Sequence, residues 1–211
     1  MISIAYIIGT HNEGKPIKKL IELILKEKDS NDELIIVDNN SDDPDTLTIL
    51  EEYWEYVKTY DKPITDFSEY KNFKKSLTKA HFIFDLDGDE FINPILLKTI
   101  KEIIIGNHEI DVYEVPRVNI VEGITPEYAR SVGYHLDSDM FINWYDPQKR
   151  IYRNTPEIVW INKVHETLSG FKTITTLPYQ DEQGKKVTDY SLLHIKTIQK
   201  QKQQNELYSK I

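Results

Sequence analysis

The sequence predicts an α/β protein with a mostly parallel central sheet. Short apolar runs alternate with amphipathic stretches through residues 1–93, a pattern typical of parallel strands covered by helices on both faces. No apolar run reaches the roughly 18 residues of a membrane-spanning helix, and the start lacks the basic region and cleavage site of a secretory signal. The absence of Cys excludes a disulfide scaffold and a thiolate metal site, which leaves carboxylates and six His as the reactive groups.

The first half of the chain predicts two β-α units, a third helix and a further strand. The first strand covers Ile2–Ile8, and the helix that follows has apolar residues at helical spacing: Ile17, Leu20, Ile21, Ile24 and Leu25. The second strand covers Glu33–Val37, and capping residues then precede a helix over Thr46–Val57. A helix over Ser68–Lys79 leads to an apolar strand that begins at His81 and ends in a cluster of acids.

The second half predicts a different pattern. A helix runs from Asn93-Pro94 to about Ile105, a strand lies near residues 111–122, and residues 124–148 are irregular and aromatic. Short strands are then expected in KRIYRN, EIVWINKVHET, KTITTLP and DYSLLHI, before a polar, basic helix in the tail.

We therefore expect one domain made of two halves and a tail. Residues 1–93 form an α/β half of the nucleotide-binding type, residues 94–195 an α+β half, and residues 196–211 a basic helix. The net charge is −9, but it is uneven, with an acidic first half and a lysine-rich tail. Such a tail is a solvated surface or closes over an anionic ligand.

Polar clusters follow three of the predicted strands. They are Thr10-His11-Asn12-Glu13, Asp38-Asn39-Asn40-Ser41 and Asp87-Gly88-Asp89-Glu90. Each has a simple structural interpretation, as a helix cap, a turn or an exposed loop. Ligands of open α/β sheets bind beyond the carboxyl ends of the strands, however, and uncompensated acids at successive strand ends need a cation or hydrogen-bond donors. Two carboxylates that flank one Gly suit Mg²⁺ or Mn²⁺, which predicts metal-assisted departure of a phosphorylated leaving group.

Several motifs in order resemble the family 2 glycosyltransferases of the GT-A fold, especially the branch of lipopolysaccharide-core and peptide S-glycosyltransferases. They are IIGTHNE at the first strand, ELIIVDNNSDD at the second, and DFSEYKNFKKSLTKAHFIFDLDGDEF across the third helix and the acidic strand. RIYRN, VWINKVHETLSG and LLHI before a Lys-containing helix follow in the same order. The resemblance implies a GT-A fold and transfer of a sugar from a nucleotide-sugar.

The resemblance also implies a donor site. Thr10, Asn12 and Glu13 line the nucleoside site, and Asp38 hydrogen-bonds the edge of a pyrimidine. Asn40 lies in the base-binding turn, where Asn39-Asn40 replaces the usual Asp-Gly. From the third helix, Lys71, in place of the usual Arg, and Asn72 face the nucleotide.

For the metal, the resemblance implies that Asp87 and Asp89 form the DXD pair, with Asp89 the main ligand. His194 is a further ligand, and lysines of the tail helix lie beside the leaving diphosphate. Because family 2 members invert the anomeric carbon, a base should take the acceptor proton. Glu166 is the candidate base and His165 is its rival.

Two other classes of function stay open at this point. FDLDG also matches the nucleophile motif of haloacid dehalogenase-type phosphatases, with Asp85 attacking and Asp87 as acid/base, although Asp89 stands where those enzymes have Thr or Val. A non-catalytic module that binds nucleotides or carbohydrates is the other class, because a fold does not prove activity.

The sequence thus predicts an inverting, metal-assisted glycosyltransferase that uses Mn²⁺ or Mg²⁺ and a nucleoside-diphosphate sugar, with UDP-sugar favoured. The acceptor stays open among a glycan, a peptide and a modified base of phage-type DNA. We expect a cytoplasmic location. Two forms of it stay open, which are attachment to the inner face of a membrane and the host cytoplasm for a phage- or virus-encoded protein.

Overall fold

The computed structural model describes residues 2–61 and 63–208. Its strands are β1 (Ile4–Thr10), β2 (Glu33–Asp38), β3 (Val57–Thr59), β4 (Phe82–Asp87), β5 (Glu90–Ile92), β6 (Val112–Val115), β7 (Arg117–Glu122), β8 (Gln148–Arg153), β9 (Val159–Ile161), β10 (Thr167–Ser169), β11 (Ile174–Thr176) and β12 (Leu192–Thr197). Its helices are α1 (Lys15–Glu27), α2 (Pro44–Glu52), α3 (Phe67–Ser76), α4 (Pro94–Gly106), α5 (Pro126–Ser131) and α6 (Ile198–Tyr208). The predicted tail helix extends to residue 211, and its last three residues lie outside the described part.

A seven-stranded sheet forms the centre of the protein, in the order β11-β6-β8-β4-β1-β2-β3. Strand β1 pairs in parallel with β2 and β4, and β2 pairs in parallel with β3. Strand β8 runs antiparallel to both of its neighbours, β4 and β6. The predicted α/β class with a mostly parallel sheet is therefore confirmed.

The sheet is covered on both faces, as the continuous apolar character of its strands requires. Alternate residues of β1 belong to two separate buried clusters, with Ile4, Tyr6 and Ile8 in one and Ala5 and Ile7 in the other. The first cluster includes the apolar sides of α1, α2 and α4. The second includes residues of α3, β9 and β10. Helix α3 and the β9–β10 hairpin therefore lie in one layer, on the same side of the sheet.

A separate three-stranded sheet has the order β5-β12-β7. Strand β12 pairs antiparallel with β5 and parallel with β7, and this register sets His194 opposite Glu90 on one side and Asn119 on the other. The late strand SLLHI is thereby brought beside the acidic loop that follows β4.

Three predicted elements differ from the structure. The helix expected over Thr46–Val57 ends at Glu52, and a 3-10 turn then leads into β3, which pairs with the edge of β2. The single strand expected near residues 111–122 is two strands in different sheets, because Pro116 has no N–H for a continuous ladder. Within the irregular region, Thr125 caps the short helix α5.

No helix of the described ranges combines the length and apolarity needed to cross a bilayer.

Candidate active site

A cleft of about 1030 Å³ opens where the carboxyl ends of β1 and β4 meet the three-stranded sheet and the β9–β10 hairpin. It is lined by eight of the residues predicted from the sequence: Thr10, Glu13, Lys71, Asp87, Asp89, His165, Glu166 and His194. These residues come from five parts of the chain. The fold therefore gathers most of the predicted site around one cavity.

Two further predicted residues shape the loops beside the cleft without lining it. Asn12 has φ 59°, and its side-chain oxygen accepts the N–H groups of Asp42 and Asp43 at 2.8 and 2.9 Å. Asp38 is buried and accepts a hydrogen bond of 2.6 Å from the Ser41 hydroxyl. Asn12 therefore holds the turn after β2 against the turn after β1, and Asp38 fixes the turn after β2 from within.

Asn40 and Asn72 also have their amide groups directed to the protein backbone. Asn40 donates to the carbonyl of Tyr60 at 3.4 Å. Asn72 makes two bonds to the backbone of Trp160, donating to the carbonyl at 2.8 Å and accepting from the N–H at 3.0 Å. Asn72 therefore fastens α3 to β9, where the sequence had predicted a contact with the nucleotide.

The backbone of the loop Asp87-Gly88-Asp89 contacts the end of β1. The Gly88 N–H donates to the Gly9 carbonyl at 2.8 Å. A Cβ at Gly88 would lie 3.0 Å from the Glu13 side chain and 3.2 Å from the Gly9 carbonyl oxygen. Only Gly fits there without displacing its neighbours, and this close approach leaves the two flanking carboxylates at the cleft.

The acids of this loop have positively charged partners within the protein. The Arg150 guanidinium, which is buried, contacts the carboxylates of both Asp87 and Glu90. Arg117 adds a second contact to Glu90 at 3.2 Å. Burial raises the pKa of Asp87, but Arg150 and the nearby lysine ammonium groups outweigh it and bring the pKa well below its usual range. The sequence did not identify these arginines as the partners, because they are about 30 and 60 residues away from Glu90 in the chain.

Asp89 faces a cationic wall made by β12 and α6. Its Oδ2 lies 3.2 Å from His194 Nε2, 3.4 Å from Lys196 Nζ and 3.8 Å from Lys200 Nζ. Burial raises the pKa of Asp89, yet the hydrogen bond with His194 and the surrounding positive charge lower it below its usual range. Asp89 is therefore an anion at neutral pH.

The other side of the His194 ring is fixed by an amide. Nδ1 lies 2.7 Å from Asn119 Oδ1, and the Asn119 amide nitrogen donates to Asp146 at 2.6 Å. The amide oxygen thus faces Nδ1, which must donate. Nε2 is then directed at the Asp89 carboxylate, an arrangement that needs a proton or a cation between the two groups.

This donor set fits a divalent cation in part. Carboxylate oxygen suits Mn²⁺ and Mg²⁺, and imidazole nitrogen suits a transition metal better than Mg²⁺; Asp89 and His194 are adjacent. Asp87, the third predicted ligand, is held by Arg150. Across residues 2–61 and 63–208, no three His, Asp or Glu side chains are gathered closely enough to hold a metal by themselves.

Glu166 lines the same cleft, just before β10. Its Oε1 is 2.9 Å from Lys71 Nζ, which also lies 3.6 Å from Asp85 Oδ2. His165, the rival candidate, has φ 55° and an exposed side chain that lines the cleft. Lys71 gives Glu166 a fixed neighbour that orients its side chain.

Two groups near β1 complete the cleft floor. The Thr10 hydroxyl is buried and finds no hydrogen-bond partner within the described residues. Glu13 binds Lys200 at 2.9 Å, and burial together with the nearby Asp89 charge raises the pKa of Glu13. A hydroxyl left unsatisfied at a cavity is suited to bind a polar ligand group.

Residues 6–168, more than half of the chain, match the family described as Glycosyl transferase family 2. The chain belongs to this family. Among curated proteins, no sequence matches the chain.

Solved structures with a similar fold support the family's GT-A architecture. Staphylococcus aureus TarS 1-349 in complex with UDP-GlcNAc has a TM-score of 0.63 at 18% identity, covering 92% of this chain and 59% of that one. The crystal structure of TarS 1-349 gives 0.59 at 20% identity, covering 83% and 58%. The longer TarS structure gives 0.61 at 18% identity, covering 93% and 37%. The family 2 chain described here therefore spans less than two thirds of each of these chains.

The haloacid dehalogenase-type phosphatase alternative fits this family 2 chain poorly. Its nucleophile, Asp85, must touch the substrate, but Asp85 is 1% exposed and is held between Lys71 and Lys74. Asp85 does not line the cleft. Its place in the fold is structural.

Sequence reasoning missed several polar residues of the family 2 site. Four of them line the cleft or bind its acids: Arg117, Asn119, Asp146 and Arg150. A signal existed for Arg150, which stands in the motif RIYRN, and for Arg117, which follows Pro116 in a strand. No spacing rule connects them with Asp87 or His194, because the strands that carry them are far apart in the sequence and are brought together by sheet pairing.

Proposed function

We propose that this protein is an inverting glycosyltransferase that transfers a sugar from a nucleoside-diphosphate sugar, a UDP-sugar, to an acceptor. The observation that carries the proposal is the cleft itself. It is lined both by a cationic wall with Asp89 and His194 and by a carboxylate held by Lys71, Glu166. Membership of family 2 supports the transferase class, and TarS 1-349, a structure with the same fold, is described in complex with UDP-GlcNAc.

For the donor, Thr10 and Glu13 would contact the nucleoside at the end of β1. Asp38 would accept the N–H of the pyrimidine, with Asn12 and Asn40 holding the base-binding turns. Asn39, next to Asp38, lines the cleft, so the turn borders the cavity. Lys200, now 2.9 Å from Glu13, is within reach of the diphosphate.

A divalent cation, Mn²⁺ or Mg²⁺, would be held by Asp89 and His194, with Asp87 as a further ligand. Such an ion supplies positive charge to the diphosphate as it departs. Lys196 and Lys200 lie on the same wall. They would stabilise the negative charge that grows on the leaving phosphate more in the transition state than in the ground state.

In the same cleft, Glu166 would take the proton of the acceptor hydroxyl. The acceptor oxygen forms a bond with the anomeric carbon, while the bond from that carbon to the phosphate oxygen breaks and its electron pair leaves with UDP. Attack from the side opposite the phosphate inverts the configuration. The proton ends on Glu166, and the charges balance.

We assign residues 1–93 to donor binding, residues 94–195 to the acceptor side and residues 196–211 to the basic tail. The acceptor is a glycan, a peptide or a modified DNA base. A net charge of −9 does not favour general binding to duplex DNA, so a glycan or peptide is the first to test.

Calorimetry with UDP and GDP, each with and without Mn²⁺, tests the donor and the metal together. We expect UDP to bind more tightly than GDP, and Mn²⁺ to increase the affinity. Asp89→Ala should abolish the effect of Mn²⁺, whereas Asp45→Ala, an exposed acid on α2, should preserve it. Equal binding of both nucleotides, or of neither, would contradict the proposal.

A second assay separates the alternative classes. Incubation of UDP-sugars with a set of acceptors should release UDP and form a glycoside. Hydrolysis of p-nitrophenyl phosphate that is lost in Asp85→Asn would instead indicate a phosphatase. Nucleotide binding with neither reaction would leave a binding module.

A further inference from the structure

We propose that Lys71 is a positioning residue for Glu166 and not a contact of the nucleotide. This inference rests on the proposed function, in which Glu166 takes the acceptor proton. It differs from the role that the sequence predicts for Lys71, which is to face the nucleotide from α3.

The Lys71 ammonium is held from three directions. It lies 2.9 Å from Glu166 Oε1, 3.6 Å from Asp85 Oδ2 and 4.1 Å from the centre of the Trp160 ring. The side chain is 9% exposed. A cation with two carboxylates and an aromatic face around it has little freedom to turn toward a nucleotide.

Asp85 gives the ammonium a fixed anchor. It is 1% exposed and also contacts Lys74, so two ammonium groups share one buried carboxylate. Asp85 alone cannot balance both ammonium groups. Glu166 is the second carboxylate in direct contact with Lys71, which ties its position to the buried pair.

Glu166 stands between two spaces. One is the main cleft, and the other is a smaller cavity of about 140 Å³ whose lining includes Arg150, Gln148 and Thr167. A glutamate side chain has several rotamers, and the buried Arg150 guanidinium in the smaller cavity could attract the Glu166 carboxylate into a second orientation. The contact with Lys71 selects one orientation.

The backbone around this contact is held as well. Asn72, the next residue of α3, makes two hydrogen bonds with the backbone of Trp160 in β9. Strand β9 pairs with β10, which begins directly after Glu166. Lys71 aims the side chain, and Asn72 fixes the distance between helix and hairpin.

The test uses Lys71→Met in the full chain, which removes the charge and keeps most of the volume. The readouts are the UDP affinity by calorimetry with Mn²⁺, and the kcat of UDP release from the UDP-sugar that binds most tightly, with water as acceptor. We expect UDP affinity to stay within about 2-fold and kcat to fall about 100-fold, the cost of a reacting group displaced by about 1 Å. In Lys71→Met/Glu166→Gln, kcat should equal that of Glu166→Gln alone, because Lys71 acts through Glu166.

Lys75→Met is the matched control. Lys75 lies on the same helix and its ammonium donates to the Thr155 carbonyl at 2.8 Å, away from the cleft. We expect its UDP affinity and kcat to match those of the wild type.

Three results would overturn the proposal. A loss of UDP affinity of 10-fold or more in Lys71→Met would restore the nucleotide role, and losses in kcat that multiply in the double variant would show that the two residues act independently. If Lys71→Met does not fold, Lys71→Arg replaces it, and reduced UDP affinity with wild-type kcat would contradict the inference. Absence of UDP binding and UDP release in the wild type would instead refute the proposed function, and this inference with it.

Discussion

The turn after β10 offers a stability test with a quantitative expectation. Gly170 has φ +83°, and a Cβ at this position would lie 1.8 Å from the backbone oxygen of Glu157. Gly184 has a similar φ of +78°, but a Cβ there would meet nothing within 4 Å. Replacing each with Ala adds the same unfavourable φ, about 1–2 kcal/mol, and only Gly170→Ala adds a clash.

The clash has a calculable size. Real contacts of a Cβ essentially never fall under 3.0 Å, so the backbone at Gly170 or Glu157 must move by about 1.2 Å. Overpacking of this kind costs roughly 1–3 kcal/mol, and a domain of this length loses about 2–4 °C in Tm per kcal/mol. We expect Gly170→Ala to melt about 2–12 °C below Gly184→Ala in a calorimetric scan. Equal Tm values for the two variants would refute this expectation, because the two sites have similar φ and differ in the close approach of Gly170 to Glu157.

Three further results are expected. Glu166→Gln should lower UDP release by about 100-fold or more and keep UDP affinity, as measured by single-turnover kinetics and calorimetry; unchanged release would place the base elsewhere. His194→Ala should weaken the binding of UDP in Mn²⁺ but not in its absence, since Nε2 faces Asp89; an equal loss in both conditions would contradict a metal role. Asp111→Asn should cost about 1.5–3 kcal/mol at pH 7 in urea unfolding, because its carboxylate accepts from Arg153 and from the Lys172 N–H. Burial raises the pKa of Asp111, but these bonds outweigh it and hold the pKa below its ordinary 3.8. The difference in unfolding free energy between variant and wild type should therefore shrink as the pH falls below that value. A difference that stays constant with pH would contradict this.

Much of the fold could be predicted because local patterns decide it. The apolar residues of α1 recur at helical spacing, and Ile17, Leu20, Ile21 and Ile24 are all fully buried. The end of α2 was harder to predict, because Tyr53 to Val57 suits a helix by periodicity while pairing with β2 favours an extended end. That pairing is tertiary, and it overrides local propensity.

The candidate site could be predicted in its acids but not in its cations. Asp87, Asp89 and Glu90 are close in sequence, and their cluster was visible. Arg117 and Arg150 reach the same cluster through the fold, from separate strands. Nothing in local spacing reports such a contact, so the site was expected to be more negative than it is.

The wall formed by His194 and Lys200 has a consequence for the order of folding. His194 meets Asp89 across 105 residues of sequence, and Lys200 meets Glu13 across 187. Contacts over such separations close large loops and are slow to form, whereas β1, α1 and β2 are neighbours along the chain. The central strands can therefore assemble while the cleft still lacks its positive side. The binding of a nucleotide during refolding would then report when β12 docks between β5 and β7.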